Sequence, residues 1–272
     1  MNVDADRSAL AARDCLVAAA REAGALALGF FRPGAATSAE VRSKVGGSPV
    51  TEADLAADAL LKRRLLEAFP EAGWLSEETA DNAERLERRA LLVVDPIDGT
   101  RAFVAGDPRW AVSAALVVDG RPFAGVVHAP ALDETYAAVR GGGATFNQAA
   151  VAAPGPFDPL HFSAAGPKPI LQAMGARLGA TIDVAPRVPS LAYRLCMVVR
   201  GAIDFAVAAA DSHDWDVAAA DLLLEEAGAR LIGRSGERLL YNTKQIRRGA
   251  LLAAPELVAP RLLEAFRAAT GA

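Results

Sequence analysis

The order of helical and strand-like segments restricts the fold of this chain more than any other feature of its sequence. Apolar residues recur at three- and four-residue steps over residues 7–31, and a second amphipathic segment runs from about 51 to 69, so two helices precede the first convincing strand. Strand-like runs follow at residues 73–76, 91–95, 111–118, 123–128 and 135–139. Asp119-Gly120 separates two of these runs. Because this dipeptide favours a two-residue hairpin turn, it predicts an antiparallel sheet.

A different pattern begins after Gly141–Gly143 and a proline-rich stretch at 154–159. Strands are predicted at 160–163, 181–184 and 203–208, and they alternate with helices near 168–178, 190–200 and 215–227. Such alternation is typical of a layered α/β structure. The 272 residues fit either one large domain or two smaller lobes. We predict an N-terminal α+β lobe over residues 1–153 and a C-terminal α/β lobe over residues 154–272.

Composition excludes several classes of protein. The chain is 52% hydrophobic and 23% charged, which predicts a folded protein with a substantial core. The net charge of −4 and the lack of basic runs argue against nucleic-acid binding. The N-terminal residues are polar and acidic, and no apolar run approaches the roughly 20 residues that span a bilayer, so we expect neither a secretion signal nor a membrane span. Cys15 and Cys196 both lie in apolar segments, which predicts unpaired core thiols and a cytoplasmic location.

The apolar run Leu91–Val94 ends in the segment Asp95–Thr100, which contains two carboxylates three residues apart. Asp-Pro and Asp-Gly pairs both favour turns, so an ordinary turn is one explanation of this segment. The alternative is that the turn aims both carboxylates at one point, while Gly99 and Thr100 begin a helix whose free N–H groups face an anion. Clustered carboxylate oxygens suit Mg²⁺, which proteins usually hold through carboxylates together with a substrate phosphate.

Three further acidic segments have ordinary structural explanations when each is taken alone. Glu77-Glu78 follows a predicted strand and suits an exposed strand end. Asp54, three residues after Thr51, fits a helix capping box. Asp216 falls in the first turn of a predicted helix, where an acid complements the helix dipole.

Together and in this order, these segments resemble the magnesium-dependent phosphatases of the inositol monophosphatase superfamily. Asp95–Thr100 matches the D-P-[ILM]-D-G-T signature of that superfamily, and Ser76–Glu78 corresponds to its G-E-E element. Trp215–Ala219 matches W-D-x-A-[AG], and Thr51–Asp54 matches [ST]-x-x-D. The resemblance implies a layered α-β-α-β-α fold of the inositol monophosphatase and fructose-1,6-bisphosphatase type, and it implies phosphomonoesterase activity.

The same resemblance implies a role for each matching residue. Two or three Mg²⁺ ions would be bound, with Asp95 bridging two of them. The metal ligands would be Glu77, Asp95, the Ile97 carbonyl, Asp98 and Asp216. Asp54 and Thr100, with Glu77, would orient and deprotonate the attacking water. Gly99, Thr100, Asp98 and Asp216 would bind the substrate, with the Gly99 and Thr100 amides on its phosphate.

This chemistry requires no histidine or cysteine nucleophile, because a metal can generate a nucleophilic water at neutral pH. The three histidines, His128, His161 and His213, are widely spaced and form no ligand pattern. His128 and His161 are therefore predicted to be ordinary core or surface residues. His213 lies two residues before Trp215, where it either lines the substrate pocket or has no role in the site.

The resemblance leaves the substrate open among inositol monophosphate, a 3′(2′),5′-bisphosphate nucleotide and histidinol phosphate. Some animal inositol monophosphatases have a glutamate seven residues before the position of Asp216 that contacts inositol hydroxyls, whereas this chain has Ala209. This difference argues against a preference for inositol. The resemblance further implies sensitivity to lithium, a small soluble phosphate ester as the partner, and a homodimer as an alternative to a monomer.

A regulatory interaction protein on the same fold is the competing hypothesis from another functional class. The intact set of acids argues against a purely non-catalytic role, because uncompensated carboxylates in a cleft repel one another and raise each other's pKa.

Overall fold

Two long helices and a small ladder of strands form the N-terminal part of the computed structural model, which describes the backbone of residues 3–271 except 45, 154 and 156. These elements are α1 (Val3–Leu28), β1 (Val41–Ser43), β2 (Pro49–Thr51) and α2 (Glu52–Ala68). β1 and β2 pair antiparallel and lead the chain into α2. Thr51 caps α2 through a capping box with Asp54, so the N-terminus of this helix is fixed by its own first turn.

A seven-stranded sheet follows. Its strands are β3 (Gly73–Ser76), β4 (Ala90–Asp98), β5 (Ala111–Val118), β6 (Arg121–Ala129), β7 (Glu134–Val139), β8 (Ala144–Phe146) and β9 (Ala149–Val151). Each strand pairs with the next along the chain. β3 is parallel to β4, and the remaining pairs are antiparallel. A short helix, α3 (Thr100–Ala105), directly follows β4.

The predicted hairpin is confirmed, because β5 and β6 pair antiparallel across Asp119-Gly120. Asp119 has φ 53° and Gly120 has φ 75°. Positive φ at both central residues is what a tight hairpin turn requires, and aspartate and glycine tolerate it better than other residues do.

The C-terminal part contains a five-stranded sheet and four helices. Its elements are β10 (His161–Ala165), α4 (Lys168–Leu178), β11 (Thr181–Val184), α5 (Leu191–Val199), β12 (Phe205–Ala208), α6 (Asp214–Glu226), β13 (Ala229–Ile232), β14 (Leu251–Pro255) and α7 (Ala259–Thr270). The strand order is β11-β10-β12-β14-β13. β11, β10 and β12 run parallel, and β14 is antiparallel to both of its neighbours.

Strand alternation shows how the layers are stacked. Leu92 and Val94 of β4 pack with apolar residues of α1 and α2, whereas Leu91 and Val93 point to the opposite face and pack with α5 and α6. In the second sheet, residues of β12 alternate in the same way, so that one face packs against α5 and α6 and the other against α4 and α7. The layers are therefore α1/α2, seven-stranded sheet, α5/α6, five-stranded sheet and α4/α7. This arrangement confirms the expected α-β-α-β-α fold.

The sequence-based elements agree with the structure to within a few residues, but the sequence analysis missed several others. The first helix begins earlier and ends earlier than predicted, at Val3–Leu28 rather than 7–31. The missed elements are β1, β2, β8, β9, β13, β14 and α7. Strands of three residues are too short to establish an alternating pattern, which explains why β1, β2, β8 and β9 were missed.

The middle helical layer joins the two halves of the chain. α5 and α6 belong to the C-terminal half, yet α6 packs against β4, β5 and β6 of the first sheet. The predicted division into lobes at 153/154 stays a prediction, and residue 154 lies outside the described residues. Among the described helices, none combines the length and the apolarity that crossing a membrane requires.

Candidate metal and phosphate site

Three aspartates from two distant parts of the chain meet at one end of β4. Carboxylate oxygens of Asp95, Asp98 and Asp216 lie within 4.8 Å of one another. Asp95 and Asp98 come from the end of β4, where the register with β5 shifts between them, and Asp216 lies in the first turn of α6. The packing of α6 on the first sheet brings the third carboxylate to this point, and the Ser113 hydroxyl fastens the helix there by donating to the Trp215 carbonyl at 3.2 Å.

Asp95 is both a turn residue and a member of this cluster. The Ile97 N–H donates to Asp95 Oδ1 at 3.0 Å, as the turn explanation predicts. The Asp95 side chain is only 1% exposed, and burial raises its pKa well above the ordinary value. The neighbouring carboxylates, Glu77 first among them, raise the pKa further. The two explanations of the Asp95–Thr100 segment are thus compatible.

Asp98 is held by the start of α5. Its Oδ2 accepts hydrogen bonds from the Ser190 hydroxyl and from the Ala192 N–H, both at 2.6 Å. Burial raises the pKa of Asp98 to about 6, although these hydrogen bonds act in the opposite direction. The sequence analysis missed Ser190, for which the only available signal was a serine at the start of a predicted helix.

Glu77 lines the same cavity, but its carboxylate is paired with a lysine. Lys44 Nζ lies 2.8 Å from Glu77 Oε1 and 2.7 Å from Glu78 Oε1. The side chain of Glu78 is only 3% exposed, and burial raises its pKa to about 7. Lys44 therefore compensates two carboxylates beside the aspartates, a function that its position in the sequence did not indicate.

Asp54 connects the cap of α2 to Thr100. One oxygen, Oδ2, accepts from the Thr51 N–H at 2.7 Å and from the Thr51 hydroxyl at 2.5 Å. The other, Oδ1, accepts from the Thr100 hydroxyl at 3.2 Å. Burial raises the pKa of Asp54. The predicted capping box is confirmed, and the same carboxylate also contacts a predicted site residue.

Gly99 allows the chain to turn directly from β4 into α3. Its φ is 93°, in the left-handed region that residues with a side chain rarely adopt. A Cβ atom at this position would also lie 3.1 Å from the Ser190 nitrogen.

A cavity of about 230 Å³ contains the acidic cluster and Gly99 in its lining. It is lined by Ser48, Pro49, Glu77, Asp95, Asp98, Gly99, Thr100, Arg101, Arg187, Pro189 and Asp216.

The histidines and cysteines lie as ordinary packing predicts. His128 is buried, and His161 is an exposed neighbour of Asp183. Cys196 is a buried free thiol, as predicted, whereas Cys15 is a free thiol that is only half-buried. His213 stacks on Trp215 with ring centroids 4.6 Å apart, and its N–H donates to Asp216 Oδ2 at 2.6 Å, so its backbone helps to hold one aspartate.

Comparison with known proteins identifies the relatives of this chain. The sequence model of the inositol monophosphatase family matches residues 11–270. An inositol-1-monophosphatase of Mesorhizobium japonicum is 31% identical over 96% of this chain and 97% of its own length. A histidinol-phosphatase of Mycobacterium tuberculosis is 37% identical over 70% of this chain and 75% of its own length. The 3′(2′),5′-bisphosphate nucleotidase CysQ of Aggregatibacter actinomycetemcomitans is 29% identical over 76% and 80%, respectively.

A solved structure has the same fold as this chain. The crystal structure of the extragenic suppressor protein suhB from Bartonella henselae superposes with a TM-score of 0.78 at 26% identity. This match covers 94% of this chain and 98% of the other. The chain belongs to the inositol monophosphatase family and is a phosphoric monoester hydrolase.

Proposed function

We propose that this chain hydrolyses a small soluble phosphate monoester with the help of two or three Mg²⁺ ions. The observation that carries this proposal is the convergence of Asp95, Asp98 and Asp216 within 4.8 Å. Carboxylates at this spacing repel one another, and a divalent cation would remove the repulsion. Hard oxygen donors are also the ligands that Mg²⁺ prefers. The proposed ligands are Glu77, Asp95, the Ile97 carbonyl, Asp98 and Asp216.

Bound there, the cations would lower the pKa of a water molecule and offset the charge of the phosphoryl group. Thr100 and Asp54 are positioned to take up the proton that the attacking water loses. The Thr100 hydroxyl would accept this proton while passing its own to Asp54 Oδ1, 3.2 Å away. Thr51 keeps the carboxylate in place by binding its other oxygen. Because burial raises the pKa of Asp54, this carboxylate is a better proton acceptor than an exposed one.

Gly99 and Thr100 would hold the phosphate through their backbone amides. Thr100 is the first residue of α3, and the first N–H groups of a helix have no partner within the helix. Asp98 and Asp216 line the same cavity and would contact the substrate there.

The substrate class is narrowed by the relatives and by Ala209. We infer that the substrate is an inositol monophosphate or a 3′(2′),5′-bisphosphate nucleotide. Histidinol phosphate is the alternative, because the mycobacterial relative is a histidinol-phosphatase. Ala209 offers no carboxylate to inositol hydroxyls, so strong selection of inositol esters is not expected. Two free cysteines agree with the cytoplasmic location that we propose.

A phosphate-release panel tests this function. Inositol 1-phosphate, adenosine 3′,5′-bisphosphate, fructose 1,6-bisphosphate and histidinol phosphate are each incubated with the protein in Mg²⁺ and in EDTA. We expect phosphate release only in Mg²⁺, and turnover in EDTA would contradict the metal mechanism.

Two variants of Thr100 test the proton path. Thr100→Val should lower kcat by about 10²-fold or more, while Thr100→Ser, which keeps the hydroxyl, should retain most of the wild-type kcat. Full activity of Thr100→Val would remove Thr100 from the proton path.

A further inference from the structure

A second cavity adjoins the acidic one and has the opposite charge. Its volume is about 390 Å³, and its lining includes Lys168, Arg187 and Arg194 but none of the described acidic residues. Arg187 lines both cavities, which places them side by side. The other residues that line this second cavity are small or apolar, and Ala209 is one of them.

The topology of the second sheet explains why these cations meet. β11, β10 and β12 are neighbouring parallel strands, so their carboxyl ends lie at the same edge. Lys168 follows β10 by three residues, Arg187 follows β11 by three, and Ala209 directly follows β12. The carboxyl edge of parallel strands is where α/β sheets commonly bind ligands.

Arg194 carries a buried polar atom that no described residue satisfies. Its Nε atom is buried and makes no hydrogen bond within the described part of the chain. The ion pairs formed between described residues include none of the three cations that line this cavity. Burial lowers the pKa of Arg194, and Asp98 and Arg187 act on that pKa in opposite directions. A buried N–H group without an acceptor is costly, and an anion in the cavity would provide one.

We propose that this basic cavity binds a second anionic group of the substrate, a phosphate or a carboxylate, while the ester phosphate occupies the acidic cavity. The inference rests on the proposed function, because it assigns the reacting phosphate to the cavity that Asp95, Asp98 and Asp216 line. Guanidinium groups bind phosphate and carboxylate through paired N–H donors, and Lys168 adds a mobile charge at the rim. Ala209 leaves the space that a larger residue would fill.

Two matched substrate pairs test the inference. The first is adenosine 3′,5′-bisphosphate against adenosine 3′-monophosphate, and the second is 3-phosphoglycerate against glycerol 3-phosphate. The wild type should favour the doubly anionic member of at least one pair by about tenfold or more in kcat/KM. A preference in the first pair assigns the cavity to a phosphate, and a preference in the second pair alone assigns it to a carboxylate.

Variants show whether the preference comes from this cavity. Arg194→Met and Ala209→Glu should both bring the ratio close to one, the first by removing a cation and the second by giving Arg194 an internal partner. Arg194→Lys should keep part of the preference because it keeps the charge. Arg177→Met removes an exposed cation of α4 that does not line the cavity, and it should leave the ratio unchanged. Thermal unfolding checks that each variant is folded.

A binding measurement separates this inference from the proposed function. Inorganic phosphate is titrated calorimetrically into the protein in EDTA, where the uncompensated aspartates repel anions. The wild type should bind phosphate about tenfold or more tightly than Arg194→Met does. Equal phosphate affinities together with a wild-type substrate ratio near one would overturn the cavity assignment, even if every ester is hydrolysed. Tighter phosphate binding by the wild type without hydrolysis of any ester would support the cavity and overturn the proposed function.

Discussion

Replacing Asp98 with asparagine separates the metal binding that we propose for this residue from its effect on stability. Its Oδ2 accepts two hydrogen bonds, from Ser190 Oγ and from the Ala192 N–H, both at 2.6 Å. The amide oxygen of asparagine can accept the same two hydrogen bonds. The variant therefore keeps the link to α5 and loses the negative charge, which is the property that a metal ligand needs.

The size of the stability effect follows from the pKa of Asp98. Burial raises this pKa from 3.8 to about 6, so the folded protein holds the proton up to a higher pH than the unfolded chain does. Stability without metal therefore falls as the pH rises from about 4 to about 6, and the loss is complete above that range. At about 1.36 kcal/mol per pH unit, the ionised Asp98 costs the folded state on the order of 3 kcal/mol at pH 8, and about 1 kcal/mol at pH 4.5.

Thermal denaturation in EDTA, followed by circular dichroism at both pH values, measures this difference. Asp98→Asn should raise Tm at pH 8 by roughly 6–12 °C and much less at pH 4.5. With Mg²⁺ present, its kcat/KM should fall by about 10²-fold or more. Asp183→Asn serves as the control, because Asp183 is an exposed acid outside the cavity. A lower Tm for Asp98→Asn at pH 8, or equal shifts at both pH values, would refute the argument.

Three further predictions use the same structure. Gly99→Ala should destabilise the protein by about 1–3 kcal/mol in urea denaturation, because the φ of 93° is strained for alanine and the new Cβ would lie 3.1 Å from the Ser190 nitrogen. An unchanged urea midpoint would contradict this prediction. Asp221→Asn should raise Tm at pH 8 but not at pH 4, because burial raises the pKa of Asp221 to about 7. The amide of asparagine can still accept a hydrogen bond from the Tyr241 hydroxyl, so a drop in Tm at pH 8 would contradict this prediction. Li⁺ at tens of millimolar should inhibit phosphate release in Mg²⁺, as the family resemblance implies, and full insensitivity would speak against lithium occupying a Mg²⁺ position.

The sequence by itself determined the features that depend on neighbouring residues. The capping box of Thr51 and Asp54 and the hairpin at Asp119-Gly120 act over a few residues, and both are present as predicted. The acids of the proposed site were predicted for a related reason, because their local motifs occur in a characteristic order along the chain. That order also indicated the layered fold, which the structure and the relatives confirm.

Only the tertiary structure decided how distant residues combine. It shows that Ser190 binds Asp98, 92 residues earlier in the chain, and that Lys44 compensates both Glu77 and Glu78. It also brings the carboxyl ends of three parallel strands together to form the basic cavity. These contacts depend on the packing of α5 and α6 between the two sheets and on strand order. Local propensity carries no information about helix packing or strand order. A serine that only caps its own helix has the same neighbours in the sequence as a serine that also binds a distant aspartate.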